Sequence, residues 1–222
     1  NIFKAYDIRG VVGKTLNDQI VIKIGQSIGS EALKQNQKII CVGYDGRLSS
    51  PHLFKLLSKG LLSTGIDVIN IGLVTTPMLY FSTFELKTNS GIMITGSHNP
   101  PEYNGFKIVI DETTLSSDDI QMLYQRIIKE EFLTGAGKIS KSNIKPSYLE
   151  RICSDINLAR PVHIAIDCGN GAAGVCAEEL FNGIGAKVET LFCEIDGNFP
   201  NHHPDPSNLD NLIDLQKLLK NG

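Results

Sequence analysis

Gly91-Ile-Met-Ile-Thr95-Gly-Ser-His-Asn-Pro-Pro-Glu-Tyr-Asn-Gly-Phe106-Lys-Ile-Val-Ile110 holds two short apolar runs separated by a polar, turn-rich loop. Gly91 to Thr95 and Phe106 to Ile110 each have the length and composition of a buried strand. The loop between them is too short for a helical crossover, so these strands are expected to pair antiparallel. Upstream the rhythm differs. Lys38 to Gly43 reads as a strand, and Ser50-Pro51 opens a helix with Leu53, Phe54, Leu57 and Leu61 on its apolar face. Asp67 to Ile71 reads as the next strand, and Thr76-Pro77 opens a helix through Phe84. Alternation of this kind builds a mainly parallel sheet covered by helices on both faces. The fold class is therefore α/β, with mixed, mainly parallel sheets. Two more helices complete the unit. Ile20, Ile24, Ile28 and Ala32 recur at four-residue spacing behind Asn17, a suitable cap, and end near Gln35; Ser117 to Glu131 aligns Ile120, Leu123 and Ile127.

Leu133 to Asn143 is polar, carries Gly135 and Gly137 and lacks periodicity, which reads as a linker. The chain then divides into a first domain, residues 1–142, and a second, residues 143–222. In the second, Pro146 opens a helix with Tyr148, Ile152 and Ile156 aligned, Val162 to Asp167 is a strand, Gly171 to Gly183 a helix and Lys187 to Glu194 a strand. Leu209, Leu212, Ile213 and Leu219 trace one face of a final helix. Two strands and three helices bury little, so this second domain reads as incomplete.

Composition narrows the function. Of 222 residues, 41% are hydrophobic and 20% charged, which excludes disorder, and a net charge of -3 supplies no basic field for nucleic acid. Small molecules are the expected partners. The longest stretch without a charged side chain, Val68 to Phe84, is broken by Gly72, Thr75, Thr76 and Pro77, so no membrane span is expected. Five cysteines without C-x-x-C spacing read as buried thiols of a reducing, cytoplasmic compartment. The first residue is Asn rather than Met, so the natural start is expected to lie outside these residues.

A serine just past a buried strand sits at the sheet rim, where open α/β sheets bind ligands. That serine is Ser97. Gly96 permits close approach of a ligand to the backbone, His98 and Lys107 supply proton-transfer groups or positive charge, and Asn99 offers an amide donor, a set suited to a phosphate. The same residues are also ordinary turn formers. Gly169-Asn170-Gly171-Ala172-Ala173-Gly174 matches G-x-G-x-x-G and could cradle a dinucleotide, but Asp167 would repel phosphate and Glu189 falls early in the next strand. Glycines serving tight packing are the alternative. Asp196, His202, His203 and Asp205 offer metal-ligand atoms at unconvincing spacing, and the prolines among them suggest a stiffened surface or interdomain loop. In Gly43-Tyr-Asp-Gly-Arg47, Arg47 either faces an anion or pairs with Asp45 to stiffen the turn. Tyr6-Asp-Ile-Arg-Gly10 adds an arginine and a hydroxyl on a strand-like segment.

Phe3-Lys-Ala-Tyr-Asp-Ile-Arg-Gly10, Gly43-Tyr-Asp-Gly-Arg47, Thr95 to Lys107, Asp167-Cys-Gly-Asn-Gly171 and Asp196 to Pro206 together resemble, in order and spacing, the α-D-phosphohexomutase family and within it the bacterial phosphomannomutase/phosphoglucomutase branch. The resemblance implies an isomerase in which Ser97 carries a phosphoryl group, one phosphate oxygen helping to bind Mg²⁺. It implies mannose or glucose 1- and 6-phosphates as substrates and a hexose 1,6-bisphosphate intermediate. By the same resemblance Tyr6 is expected to contact substrate and Arg9, His98 and Lys107 to surround the phosphoserine, while the amide of Asn99 is a further expected substrate-binding group. Family members also carry an Asp-Gly-Asp-Gly-Asp metal loop, a third-domain loop that chooses the sugar face and a fourth-domain phosphate-binding loop. None of these occurs before Gly222. The resemblance thus implies little turnover by these residues alone, and an unpaired edge on the Val162 to Asp167 strand. Two other readings are a phosphoglucosamine mutase, from which the Phe-Lys-Ala-Tyr opening and Phe106-Lys107 steer away, and a non-catalytic dinucleotide-binding module on Gly169 to Gly174. Sugar preference and oligomeric state stay open in the sequence.

Overall fold

A computed structural model describes residues 2–221. In chain order the first unit comprises β1 (Ile8–Val11), α1 (Asp18–Lys34), β2 (Ile39–Tyr44), α2 (Ser50–Leu62), β3 (Asp67–Leu73), α3 (Thr76–Glu85), β4 (Gly91–Ile94), β5 (Tyr103–Ile110), β6 (Thr113–Thr114), α4 (Ser117–Lys129) and β7 (Ile139–Lys141). Their spatial order is β1-β5-β4-β2-β3-β7, with β6 beside β5. β4, β2, β3 and β7 run parallel, and β5 runs antiparallel to both β4 and β1, with Phe106 opposite Ile94 and Ile8. The mixed α/β sheet is as expected. The side chain of Asn17 accepts the Ile20 N–H at 3.0 Å and starts α1. α1, α2 and α4 cover one face, where Ile24, Ile28, Leu57, Leu61 and Ile120 meet Ile40, Val42, Ile92 and Ile108. α3 covers the other, with Met78 and Leu79 against Cys41 and Met93. Burial on both faces is why the central strands read as unbroken apolar runs, each large side chain contributing about 2 kcal/mol.

The second unit comprises α5 (Lys145–Asp155), β8 (His163–Asp167), α6 (Ala177–Gly183), β9 (Lys187–Leu191) and α7 (Ile213–Asn221). β8 and β9 pair parallel, and among the described residues β8 has no partner on its other edge. Ile144, Tyr148, Leu149, Val175 and Cys176 join the apolar layer under α3, with the Tyr148 and Phe81 rings 5.5 Å apart. Among the described residues no helix is long and apolar enough to cross a membrane.

Four expectations need correction. The segment from Leu133 to Asn143 is not only a linker: it contains β7, an edge strand on β3. Its glycines serve that pairing, since a Cβ at Gly135 would come within 2.7 Å of the Gly65 Cα and one at Gly137 would overlap the Ile66 carbonyl. Backbone pairing at an exposed edge needs no apolar period, so the strand left no pattern to read. The helix expected over Gly171 to Gly183 is a 3₁₀ turn, Ala172–Val175, followed by α6. The final helix begins at Ile213 after a separate 3₁₀ turn, and its supposed inner residues Leu209 and Leu219 are 72% and 61% exposed. Not every thiol is buried: Cys153 and Cys193 are only half-buried. The Cys193 and Cys168 sulfurs, both free thiols, lie 2.9 Å apart, and burial together with Cys193 pushes the Cys168 pKa up.

Candidate active site

β4 ends at Ile94, and the chain turns over the sheet rim before returning as β5. At that turn Ser97 takes φ 53°, the left-handed region, while its Oγ faces solvent 3.3 Å from His98 Nδ1. A non-glycine residue held there stores about 1–3 kcal/mol and persists only where the surroundings fix it. Locally, the Ser97 N–H donates to Thr95 Oγ1 at 2.9 Å, and both the backbone N–H and the side-chain amide of Asn99 donate to the Gly96 carbonyl, at 3.0 and 2.8 Å. One Asn99 amide hydrogen is therefore committed to closing the loop.

The main support is Arg47, with a side chain only 1% exposed. Its Nη2 donates to the carbonyls of Ser97 and Asn99 at 2.8 and 2.6 Å, and its Nη1 to those of Pro100 and Tyr103 at 2.6 and 3.1 Å. Asp45 lies 3.3 Å from Arg47 Nε, accepts the Gly96 N–H at 3.1 Å and accepts the Ser50 hydroxyl at 2.6 Å. Burial lowers the Arg47 pKa, Asp45 opposes the shift, and an arginine stays charged near neutrality. Of the two sequence readings, the structural pair with Asp45 is present, but it does more than stiffen its own turn: it holds the backbone carrying Ser97. The reason for Gly96 changes accordingly. A Cβ there would overlap the guanidinium, so the close approach is by Arg47 and not by a ligand.

Beside this loop a cleft of 780 Å³ is lined by Lys4, Tyr6, Asp7, Arg9, Thr15, Asn99, Tyr103 and Lys107, among others. β1 presents Arg9 opposite Gly105, and β5 presents Lys107 opposite Met93. Arg9 pairs with Asp7, and Tyr6 is 72% exposed. Three cations against one carboxylate give the cleft a net positive lining. The structure thus brings Tyr6, Arg9, Asn99 and Lys107 together. Ser97 and His98 are not among the lining residues; their loop reaches the cleft through Asn99 and Tyr103. Sequence reasoning missed Lys4, which lay inside a quoted motif with no role attached.

The glycine-rich loop does not form a pyrophosphate cradle. Its amides are already used: Gly169 N–H donates to Asp167 Oδ1 at 2.8 Å, Asn170 N–H to the Phe192 carbonyl at 2.8 Å and Gly171 N–H to the Cys168 carbonyl at 2.8 Å. A Cβ at Gly174 would overlap the Cys193 carbonyl, so that glycine serves packing. Glu189 pairs with His163 at 2.8 Å.

Nor do the two histidines gather on a metal. Among the described residues no three His, Cys, Asp or Glu side chains are placed to hold one. His203 Nε2 instead donates to the His98 carbonyl at 2.7 Å, and His202 lies between Asp167 Oδ2 and the His203 carbonyl, each 2.9 Å away. Burial works against charge on His202, but the His203 carbonyl and the Asp167 carboxylate, with Asp214 further off, outweigh it and raise its pKa above 6.5. A raised folded-state pKa adds stability that is complete below the ordinary imidazole value and is lost as pH rises through the raised one. The melting-temperature gap between the protein and its His202→Gln variant is therefore expected to be full below the ordinary imidazole range and to shrink as pH rises above it. A gap that stays constant through that rise would contradict this role.

Fold and site together define an α/β protein with a serine-bearing loop and a cationic cleft at the carboxyl edge of its first sheet. Comparison with known proteins gives the particular family. The model for phosphoglucomutase/phosphomannomutase α/β/α domain I matches residues 1–134, and that for domain II matches residues 146–222. The chain is 50% identical over 220 residues to a phosphomannomutase/phosphoglucomutase of Pseudomonas aeruginosa, covering 99% of this chain and 48% of that protein. It is 49% identical over 224 residues to a phosphoglucomutase of Neisseria gonorrhoeae, covering 100% and 49%. A crystal structure of a phosphoglucomutase/phosphomannomutase family protein from Burkholderia thailandensis superposes with a TM-score of 0.96 at 45% identity, covering 100% of this chain and 50% of that one. The chain belongs to the phosphoglucomutase/phosphomannomutase family. It spans about half the length of the curated relatives it matches, and the activity in their names is that of an isomerase.

Proposed function

We propose that the full-length protein interconverts the 1- and 6-phosphates of mannose, glucose or both, using Ser97 as the phosphoryl carrier. In this reading residues 1–142 form the serine-bearing domain and residues 143–222 belong to a second domain. The observation that carries this reading is the exposed, conformationally strained Ser97, held by Arg47 beside a cleft with three cations. In the reaction a sugar hydroxyl oxygen attacks the Ser97 phosphorus, the P–Oγ bond breaks with its electron pair passing to Oγ, and the hydroxyl proton leaves to a base. The resulting hexose 1,6-bisphosphate turns over in the cleft and returns its other phosphoryl group to Oγ. Such transfers need alignment and cationic stabilisation of the equatorial oxygens more than covalent assistance. Lys4, Arg9 and Lys107 supply positive charge, Tyr6 and Asn99 meet the sugar phosphate, and His98 holds or yields a proton next to Oγ.

Family members generally use Mg²⁺. Residues 2–221 do not fit that ion by themselves, because among them no three acidic, histidine or cysteine ligands converge. We assign it one contact, a phosphate oxygen on Ser97, and take the other ligands to lie elsewhere in the full-length protein. The five free thiols support a reducing, cytoplasmic setting. No observation at the site favours the glucosamine phosphate reading. The test is the intact mass of the purified full-length protein. It is expected to include one phosphate that maps to Ser97, is discharged by added hexose 1-phosphate and is absent from Ser97→Ala. A phosphate on another residue, or one indifferent to hexose phosphate, would sink the proposal.

A further inference from the structure

The segment from Ile195 to His203 carries Asp196, His202 and His203, which have metal-ligand atoms, yet among the described residues no three such side chains are placed to share an ion. Its contacts point across the domain boundary instead. Gly197 lies on the backbone of the Arg47 turn: a Cβ there would come within 2.6 Å of the Leu48 nitrogen and 2.8 Å of the Gly46 carbonyl. Phe199 sets its ring 5.3 Å from the Arg47 guanidinium carbon, within cation–π range. Phe199 itself takes φ 52°, an unfavourable region for an aromatic residue, enforced by a turn in which its N–H donates to the Asp196 carbonyl at 3.0 Å. His203 Nε2 donates to the carbonyl of His98, the residue after Ser97, at 2.7 Å. The segment is anchored in the second domain as well, through His202 to Asp167 and Asn201 to Asn170 at 2.8 Å.

We propose that this segment is a positioning clamp: Phe199 on Arg47 and His203 on the His98 carbonyl hold the Ser97 loop in the geometry from which phosphoryl transfer occurs. The clamp rests on the reading of Ser97 given above. None of the residues lining the cationic cleft comes from residues 143–222, so the clamp fixes where Ser97 sits without gripping the sugar phosphate. Its loss therefore lowers kcat and leaves KM nearly unchanged, since small misplacements of a reacting group are costly even when binding is intact.

The test uses paired variants of the full-length protein. Phe199→Leu removes the ring and His203→Phe removes the donor; Phe199→Tyr and His203→Gln keep them. The first pair is expected to lose about tenfold or more in kcat with KM within about twofold, and the second to stay within about threefold of the parent in kcat. Hydrogen exchange of the Ser97 and Asn99 amides, both bonded within the loop, should quicken about tenfold in the first pair and not in the second. Unchanged kcat in the first pair, a loss confined to KM, or an equal loss in the conservative pair would overturn the clamp. If the parent protein shows no Ser97-dependent mutase activity, the functional reading fails by itself and exchange decides the clamp: faster exchange in Phe199→Leu and His203→Phe upholds it, and unchanged exchange overturns it.

Discussion

Ser97→Ala in the full-length protein is expected to lose about 10⁴-fold or more of kcat/KM for hexose-phosphate isomerisation, because the variant has no oxygen to carry the phosphoryl group. Stability should hardly move. The Ser97 Oγ is exposed, and the contact recorded for it is to the equally exposed His98, so the change belongs with surface substitutions worth about 0.5 kcal/mol or less. Ser97→Gly sharpens the contrast. Glycine accepts φ 53° without strain, so this variant should melt at or above the parent temperature while being just as inactive. A Ser97→Ala protein that retains more than about a tenth of parental activity would show that phosphate travels by another route.

Arg47→Met should cost about 3–5 kcal/mol of unfolding free energy, the largest stability loss expected for any single change near the site. It strips the bonds from four carbonyls of the Ser97 loop and leaves Asp45 with its negative charge in a nearly closed pocket. Arg47→Lys should restore only part of this, because an ammonium lacks the planar fork that reaches four acceptors at once. Its kcat should fall well below its share of folded protein, since the loop loses its support even in molecules that fold. Denaturant unfolding measured beside single-turnover kinetics separates the two effects. An Arg47→Met protein within about 1 kcal/mol of the parent would remove Arg47 from the account.

Arg47 also marks where sequence reading stops. The core is legible because periodicity records burial: Ile20, Ile24 and Ile28 at four-residue spacing lie in or against the core in α1, and the unbroken Ile40 to Gly43 run is the doubly covered β2. The antiparallel return of β5 follows from loop length alone. The residues of the Ser97 loop can be named in the same way, but their support cannot, because it depends on which way four carbonyls turn about 50 positions from Arg47. β7 escaped notice for a related reason, being held by backbone pairing at an edge. The histidines of the second domain looked like metal ligands since their atoms suit either role; only distances of 2.7–2.9 Å to carbonyls and Asp167 show them to be ties between segments.

Everything rests on phosphate leaving Ser97 for the sugar, and that transfer can be followed directly. Full-length protein carrying radiolabelled phosphate on Ser97 is mixed with one equivalent of unlabelled glucose 1-phosphate and quenched over a single turnover. Label should leave the protein at least as fast as kcat, appear first in glucose 1,6-bisphosphate and then partition between free hexose phosphate and Ser97. Label that stays on the protein while glucose 6-phosphate accumulates would contradict the account.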